Sequence, residues 1–321
     1  MQAADVRRHG EDGDHPLDIF AFIDACAERG ERCALATIVE IVGRTSRNLG
    51  AQMAVSESGR SIGYVSSGCV DADLITHAQA SIAEGAPRRV RYGEGSPYID
   101  VKLPCGGGLE ILIAPDPDPG AVRAVMRRLS ERRPAALSID ETGAVSALHE
   151  APRESGWRSG AFAIAYEPRL SLIAAGRGRE LVSLAAIARS AGFEVSCYSP
   201  DADSLQLCAE LGCRTCHLTS PDNVPPFHDD PWTAVVLLFH DHEWEPALLE
   251  RALAGEALYI GALGSRKTHE VRLDALRARG AAETDLARIK GPIGLVPAMR
   301  NAPMLAISTL AEIVEQFGRR G

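Results

Sequence analysis

Long apolar runs are missing from this chain. Nowhere do about 18 apolar residues follow one another, the length a membrane-spanning helix needs, so no span and no membrane partner are expected. Aromatic residues are few, at 5%, so cores built on Ala, Leu, Ile and Val are expected. Basic residues do not dominate either. The 34 Lys and Arg face 43 Asp and Glu, a formal charge of −9, which lacks the electrostatic footprint of a general nucleic-acid binder. That balance still leaves room for a local basic pocket that holds one phosphate group. No internal repeat or low-complexity tract is visible. The first residues, MQAADVRRHGEDGDHP, contain no apolar core, so no secretory signal is expected. A cytoplasmic location follows as the expectation, with the eight cysteines reduced rather than paired in disulfides. What remains is an ordinary globular composition, 45% hydrophobic and 24% charged over 321 residues, enough for two domains or one large one.

The pattern of elements predicts an α/β protein: an N-terminal α+β domain followed by a Rossmann-like doubly wound parallel-sheet domain. Residues 1–15 are charged and read as a mobile tail, residues 16–160 as the first domain and 165–321 as the second. In the first domain a helix is expected over 16–29, a strand over 33–42, and a polar loop over 43–50 (GRTSRNLG). Short strands follow at AQMAV and SIGYV, then a helix over 69–84, strands at RRVRY and EILIA, a stiff linker at 115–119 and a basic helix over 121–133. From about Leu170 the chain alternates strand and helix four times with short turns, which predicts a parallel sheet.

In such a sheet ligands bind beyond the carboxyl ends of the strands. The first turn there is Gly176-Arg177-Gly178-Arg179-Glu180-Leu181, two glycines able to bring backbone close to a pyrophosphate at a helix start. Leu181 stands where a third glycine would complete the dinucleotide fingerprint. The second strand ends Cys197-Tyr198-Ser199, without the carboxylate that holds the ribose of NAD. Binding of NAD(P) and a Rossmann-like scaffold without it both stay open. Gly264-Ser265-Arg266-Lys267 combines a turn glycine, a helix cap and two cations, which suits an anion or else a plain capped helix. His240-Asp241-His242 suits a ligand rim, a proton relay, metal ligation, or a turn held by Asp241.

Cysteines carry the remaining signals. Cys213-Arg214-Thr215-Cys216-His217 matches a c-type haem attachment pattern, and Cys208 adds a spacing found in some iron–sulfur proteins. The segment sits where a third parallel strand belongs, so buried packing cysteines are the expectation, with an oxidation-sensitive Cys213/Cys216 pair as an alternative. In the first domain, Cys69 follows Ser66-Ser67-Gly68 and opens the expected helix, where the dipole favours a thiolate. Cys105 sits between Pro104 and Gly106-Gly107-Gly108, where backbone can approach a bound group.

Taken in order, these loops resemble the XdhC/CoxI family, accessory proteins of molybdenum hydroxylases such as xanthine dehydrogenase. Thr45 to Met53 is similar to the family's loop ending P-G-A-x-M, with Leu49 in the proline position. Ser66-Ser67-Gly68-Cys69-Val70-Asp71 is similar to S-G-G-C-V-E, and Leu103-Pro104-Cys105-Gly106-Gly107 to L-x-C-G-G. Tyr259-Ile260-Gly261, Gly264-Ser265-Arg266-Lys267 and Pro292-Ile293-Gly294-Leu295 resemble the family's nucleotide-fold domain. After Leu295 the chain departs from the family's D-I-G-A-x-T-P-E-E-I and reads Val296-Pro297-Ala298-Met299-Arg300-Asn301-Ala302-Pro303-Met304-Leu305.

The resemblance implies a chaperone that carries molybdenum cofactor as cargo. It would deliver that cargo, after sulfuration, to an apo molybdenum hydroxylase, with a cysteine-desulfurase-type sulfur donor as second partner and a homodimer as the assembly. Cys69 and Cys105 would contact the molybdenum. Gly106, Gly107, Gly176, Gly178, Arg179, Gly264, Ser265, Arg266 and Lys267 would contact the rest of the cofactor. Two other functions are weighed against it: an NAD(P)-dependent oxidoreductase with His240 or His242 as acid/base, and an adaptor that docks sulfurase to hydroxylase.

Overall fold

Pro16 suits the first turn of a helix, where its missing N–H is not needed, and α1 (Pro16–Glu28) starts on it. The computed structural model describes residues 13, 15–45, 47–66, 68, 70–94, 107–221, 223–240, 243–296 and 299–319, and forms two units, Met1–Pro168 and Arg169–Gly321. Most of the expected tail lies outside the described residues. His15 does not, and its ring nitrogen caps α1 by accepting from the Leu17 amide at 3.2 Å.

In the first unit β1 (Cys33–Val42) is the central strand of a five-stranded antiparallel sheet. It pairs with β2 (Gln52–Ser56), which pairs in turn with β3 (Ser61–Gly63). After α2 (Asp71–Glu84) come β4 (Arg88–Gly93) and β5 (Gly108–Pro115), giving the order β3-β2-β1-β5-β4. The strand β1 is buried on both faces, as the near-continuous apolar run CALATIVEIV requires. Cys33 and Leu35 face a core shared with α1 and α3 (Pro119–Ser130), whereas Ala34 and Ala36 face α2 through Leu74, Ala78 and Ile82. The stiff linker is shorter than the sequence suggests. Asp118 caps α3 by accepting from the Ala121 amide at 2.7 Å, so Pro119 is already helical, and the helix ends at Ser130 rather than residue 133.

Residues 135–166 carry a second antiparallel sheet that the periodicity does not announce. It contains β6 (Ala135–Asp140), β7 (Val145–Ala147), β8 (Gly156–Arg158) and β9 (Ala161–Tyr166), ordered β7-β6-β9-β8. This sheet moves the domain boundary. The seam falls after Pro168, not between residues 160 and 165, because β9 pairs along its whole length with β6.

One acid-sensitive contact follows from this unit. The Glu31 carboxylate is held down to about 2, chiefly by the Ser58 hydroxyl, with Ser56 and Arg60 adding to it. A carboxyl lowered on folding contributes stability above its unfolded value of 4.5, and that contribution is lost as pH falls from there toward about 2. Urea unfolding across that window is expected to show a shallower acid limb for Glu31→Gln. An identical limb would remove Glu31 from the account.

The second unit is a six-stranded parallel sheet. Its elements run β10 (Ser171–Gly176), α4 (Gly178–Ser190), β11 (Glu194–Ser199), α5 (Ala202–Glu210), β12 (Arg214–His217) and β13 (Thr233–Leu238). They continue with α6 (Glu245–Leu253), β14 (Tyr259–Ala262), α7 (Arg266–Ala278), α8 (Glu283–Leu286), β15 (Ile289–Lys290) and α9 (Ala302–Gly318). The spatial order β12-β11-β10-β13-β14-β15 reads 3-2-1-4-5-6 in the unit's own strand count, the Rossmann order, with the switch point between β10 and β13. Helices α4, α5 and α9 cover one face, and α6, α7 and α8 the other. Among the described residues no helix is long and apolar enough to cross a membrane.

Candidate functional site

Antiparallel pairing decides where the loops of the first unit emerge. Strands β1, β3 and β4 end, and β2 and β5 begin, at the same edge of the sheet. The loop after Val42, the segment after Gly63 and the connection from Gly93 to Gly108 therefore all leave that edge. These three carry the family-like motifs. Cys69, Cys105 and Gly106 lie outside the described residues, whereas Gly68, Val70 and Gly107 near them are described.

Ser66 builds the turn before α2. Its hydroxyl donates to Asp71 Oδ1 at 2.7 Å and accepts from the amides of Gly68 at 3.1 Å and Val70 at 3.3 Å. The helix itself starts at Asp71 with Val70 at its cap, two residues later than the sequence pattern places it. On the other side of the edge, Gly107 is pressed between carbonyls: a Cβ there would sit 2.6 Å from the Arg44 oxygen and 2.7 Å from that of Val42. Arg47, from the same loop, lays its guanidinium 4.0 Å above the Tyr64 ring. The 43–50 loop thus touches the flanks of both cysteine segments and supplies Arg44 and Arg47 to the edge.

Cys26, Cys33 and Cys197 are of another kind. Burial pushes the Cys33 thiol up to about 12, and Cys26 is also raised by burial. Cys197 is raised further, by hydrogen bonds with Cys208 and Cys213 and by burial. Such thiols pack rather than react. The haem and redox-pair readings of Cys213 and Cys216 fail on geometry. Cys213, just before β12, joins the α4–α5 core, whereas Cys216 on β12 packs against the opposite one. Among the described residues no group of His, Cys, Asp and Glu is arranged to hold a metal.

In the second unit, parallel pairing brings Gly176, Gly178 and Arg179, then His240, then Gly264 to Lys267 onto the carboxyl edge of the sheet. Gly176 owes its place to packing, since a Cβ there would lie 2.6 Å from that of Leu238. Gly178 has φ +67, which favours glycine, but its amide donates at 2.8 Å to the Ser204 hydroxyl, which in turn is held by Asp201. The donor that a pyrophosphate would use is therefore engaged within the chain. Ser199 is fully buried and accepts from the Asp201 amide at 3.0 Å, and Asp201 caps α5, so neither presents a carboxylate to a ribose. His240 is exposed, 4.0 Å from Glu180; Asp241 and His242 lie outside the described residues.

Ser265 caps α7 as expected, accepting from the Thr268 amide at 3.1 Å, and leaves itself, Arg266 and Lys267 exposed. The sequence reading missed the residue that braces this turn. Arg272 is buried and makes a bidentate pair with buried Glu245 at 3.0 and 2.8 Å, while its Nη2 also donates to the Leu263 carbonyl at 2.6 Å. A signal existed. Arg272 lies one turn before the core residue Leu276, on the inward stripe of the helix. Also missed is a buried polar chain in the first unit, in which the Tyr166 hydroxyl donates to Gln52 at 2.9 Å and Gln52 donates to Thr37 at 3.0 Å.

Comparison with known proteins gives concordant results. Residues 172–313 match the XdhC Rossmann domain and residues 26–93 the XdhC and CoxI family. The chain is 34% identical over 286 residues to the molybdenum cofactor insertion chaperone PaoD of Escherichia coli, covering 88% of this chain and 83% of that protein. It is 24% identical to a probable xanthine dehydrogenase subunit of Bacillus subtilis, covering 91% and 96% of the two chains. A crystal structure of a xanthine dehydrogenase from Bacillus halodurans has the same fold, with a TM-score of 0.77 at 21% identity over 96% of this chain and 97% of that one.

Proposed function

The chain belongs to the XdhC/CoxI family, and on that premise we propose that it binds molybdenum cofactor and delivers it to an apo molybdenum hydroxylase of the xanthine dehydrogenase type. Delivery follows exchange of a molybdenum oxo group for sulfur, supplied by a cysteine-desulfurase-type donor. The observation that carries this reading is the departure of all three motif-bearing segments of the first unit from one sheet edge.

The chemistry of the parts suits the cargo. Thiolates of Cys69 and Cys105 match the soft metal end, and Arg44 and Arg47 add positive charge at the sheet edge from which the motif segments depart. In the second unit the capped start of α7, with Ser265, Arg266 and Lys267, suits the cofactor's phosphate. Gly107, two residues beyond Cys105, packs its own backbone against the carbonyls of Arg44 and Val42. The protein acts in the cytoplasm, where the thiols stay reduced, and a homodimer is part of this proposal. An NAD(P)-dependent reaction is not favoured, because the Gly178 amide is already bonded to Ser204.

Protein purified without oxygen from cofactor-producing cells is expected to carry both molybdenum and pterin, read by metal analysis and mass spectrometry. Cys69→Ala and Cys105→Ala are each expected to lower cofactor affinity about tenfold, the effect of losing about 1.4 kcal/mol of contact. Protein that emerges empty of both metal and pterin would overturn the carrier reading.

A further inference from the structure

The first unit contains a cavity of about 290 Å³ where the 47–51 stretch meets the smaller sheet. Ile19, Leu49 and Ala165 give it apolar walls, and Arg47 stands on its lining. The wall between loop and sheet is fixed by Gly50: at φ +85 its position would place a Cβ 2.8 Å from the Ser155 hydroxyl. Gln52 and Tyr166 line the cavity as well, each only 4% exposed.

Gln52 decides what the cavity can take. A carboxamide has two N–H donors and two carbonyl lone pairs. Tyr166 occupies one lone pair and Thr37 one donor. One donor and one acceptor remain on the same buried amide, with no other partner among the described residues. Each amide atom already has one partner, so this capacity is open to a ligand without being demanded by burial. A carboxamide with one donor and one acceptor to spare can meet the adjacent C=O and N–H of a lactam, as glutamine does at the edge of a nucleobase. Apolar walls suit the faces of a flat ring, and the volume suits two fused rings.

The geometry points to this cavity as the seat of a fused heterocycle with a lactam edge, held by Gln52. On the carrier reading, on which the identity of the ligand rests, that heterocycle is the pterin head of the cargo. Arg47 links the seat to the cysteine segments, because its guanidinium lies over Tyr64 in the segment that leads to Ser66.

The test is a fluorescence titration of the full chain with pterin-6-carboxylate, which has neither metal nor dithiolene, and with guanosine as a second lactam heterocycle. Saturable pterin binding is expected. Leu49→Trp, at a side chain 37% exposed, fills the cavity from the loop side and is expected to abolish it. Gln52→Leu is expected to weaken it at least about tenfold. Tyr166→Phe keeps the ring packed on Phe20 and removes only the hydroxyl, so it covers the case in which Gln52→Leu does not fold; a several-fold loss is expected. No binding at millimolar pterin, or equal binding by wild type and variants, would overturn the assignment. Guanosine binding as tightly as pterin would support a lactam seat and overturn pterin as its specific occupant. Normal molybdenum and pterin content in Leu49→Trp also overturns this seat while leaving the carrier reading intact; an empty native protein overturns the carrier reading and leaves the titration to decide the cavity alone.

Discussion

Arg272→Ala is expected to destabilise the Rossmann-like unit by about 3–5 kcal/mol, the usual cost of removing one partner from a buried ion pair. Both side chains are almost fully buried, 2% exposed for Arg272 and 3% for Glu245. Truncating the arginine leaves the Glu245 carboxylate without its bidentate partner and the Leu263 carbonyl without a donor. The pair's net worth is smaller than this loss suggests, because desolvation of both charges offsets most of their attraction. The double replacement Arg272→Met with Glu245→Leu is therefore expected to recover most of the stability. Denaturant unfolding of the three proteins checks both points, and a single variant as stable as wild type would refute the bracing role. The double variant also separates stability from function. It restores the packing but not the hydrogen bond to Leu263, so the turn that presents Gly264 and Ser265 is expected to stay loosened and cofactor loading to stay low.

Gly107→Ala is the counterpart in the first unit. The added methyl would meet two backbone carbonyls, of Arg44 and Val42, neither of which can turn aside as a flexible side chain would. The clash falls where β1 and β5 pair, at Val42 opposite Gly108, so relief requires the 43–50 loop or the strand end to move. A cost of about 1–3 kcal/mol is expected from overpacking of this kind. The larger expected effect is on cargo, since the shift separates the Cys105 segment from the loop that carries Arg47. Thermal unfolding and molybdenum content, measured on the same preparation, check the two effects. Wild-type loading in a protein of unchanged stability would show that the contact does not matter.

Much of the second unit is legible from local pattern. The runs LSLIAA, FEVSCY, AVVLLF and ALYIGAL become β10, β11, β13 and β14, and CRTCH becomes the edge strand β12. The sheet at 135–166 is not legible, because AALSID and AFAIAY are rich in alanine, a poor strand former, and gain their structure by pairing with each other. The helix α9 was within reach of the same reading: Asn301 caps it, Pro303 sits in its first turn, and Leu305, Thr309 and Ile313 repeat at helical spacing.

Periodicity and turn residues determine the elements, the parallel character of the second sheet and the identity of the motif loops, since each depends on neighbours a few positions away in the chain. Which loops share an edge is a different kind of fact. It follows from antiparallel pairing between β1, β2 and β5, in a register that sets Ala34 opposite Pro115 and Val42 opposite Gly108. The same holds for the contact of Tyr166 with Gln52, 114 residues away, and for Arg272 with Glu245 on a separate helix. The opposite placement of Cys213 and Cys216 likewise needs a strand flanked by two cores, not a spacing of three. These features arise from burial and long-range pairing, whose energies couple residues by proximity in space, and local sequence carries no record of that proximity.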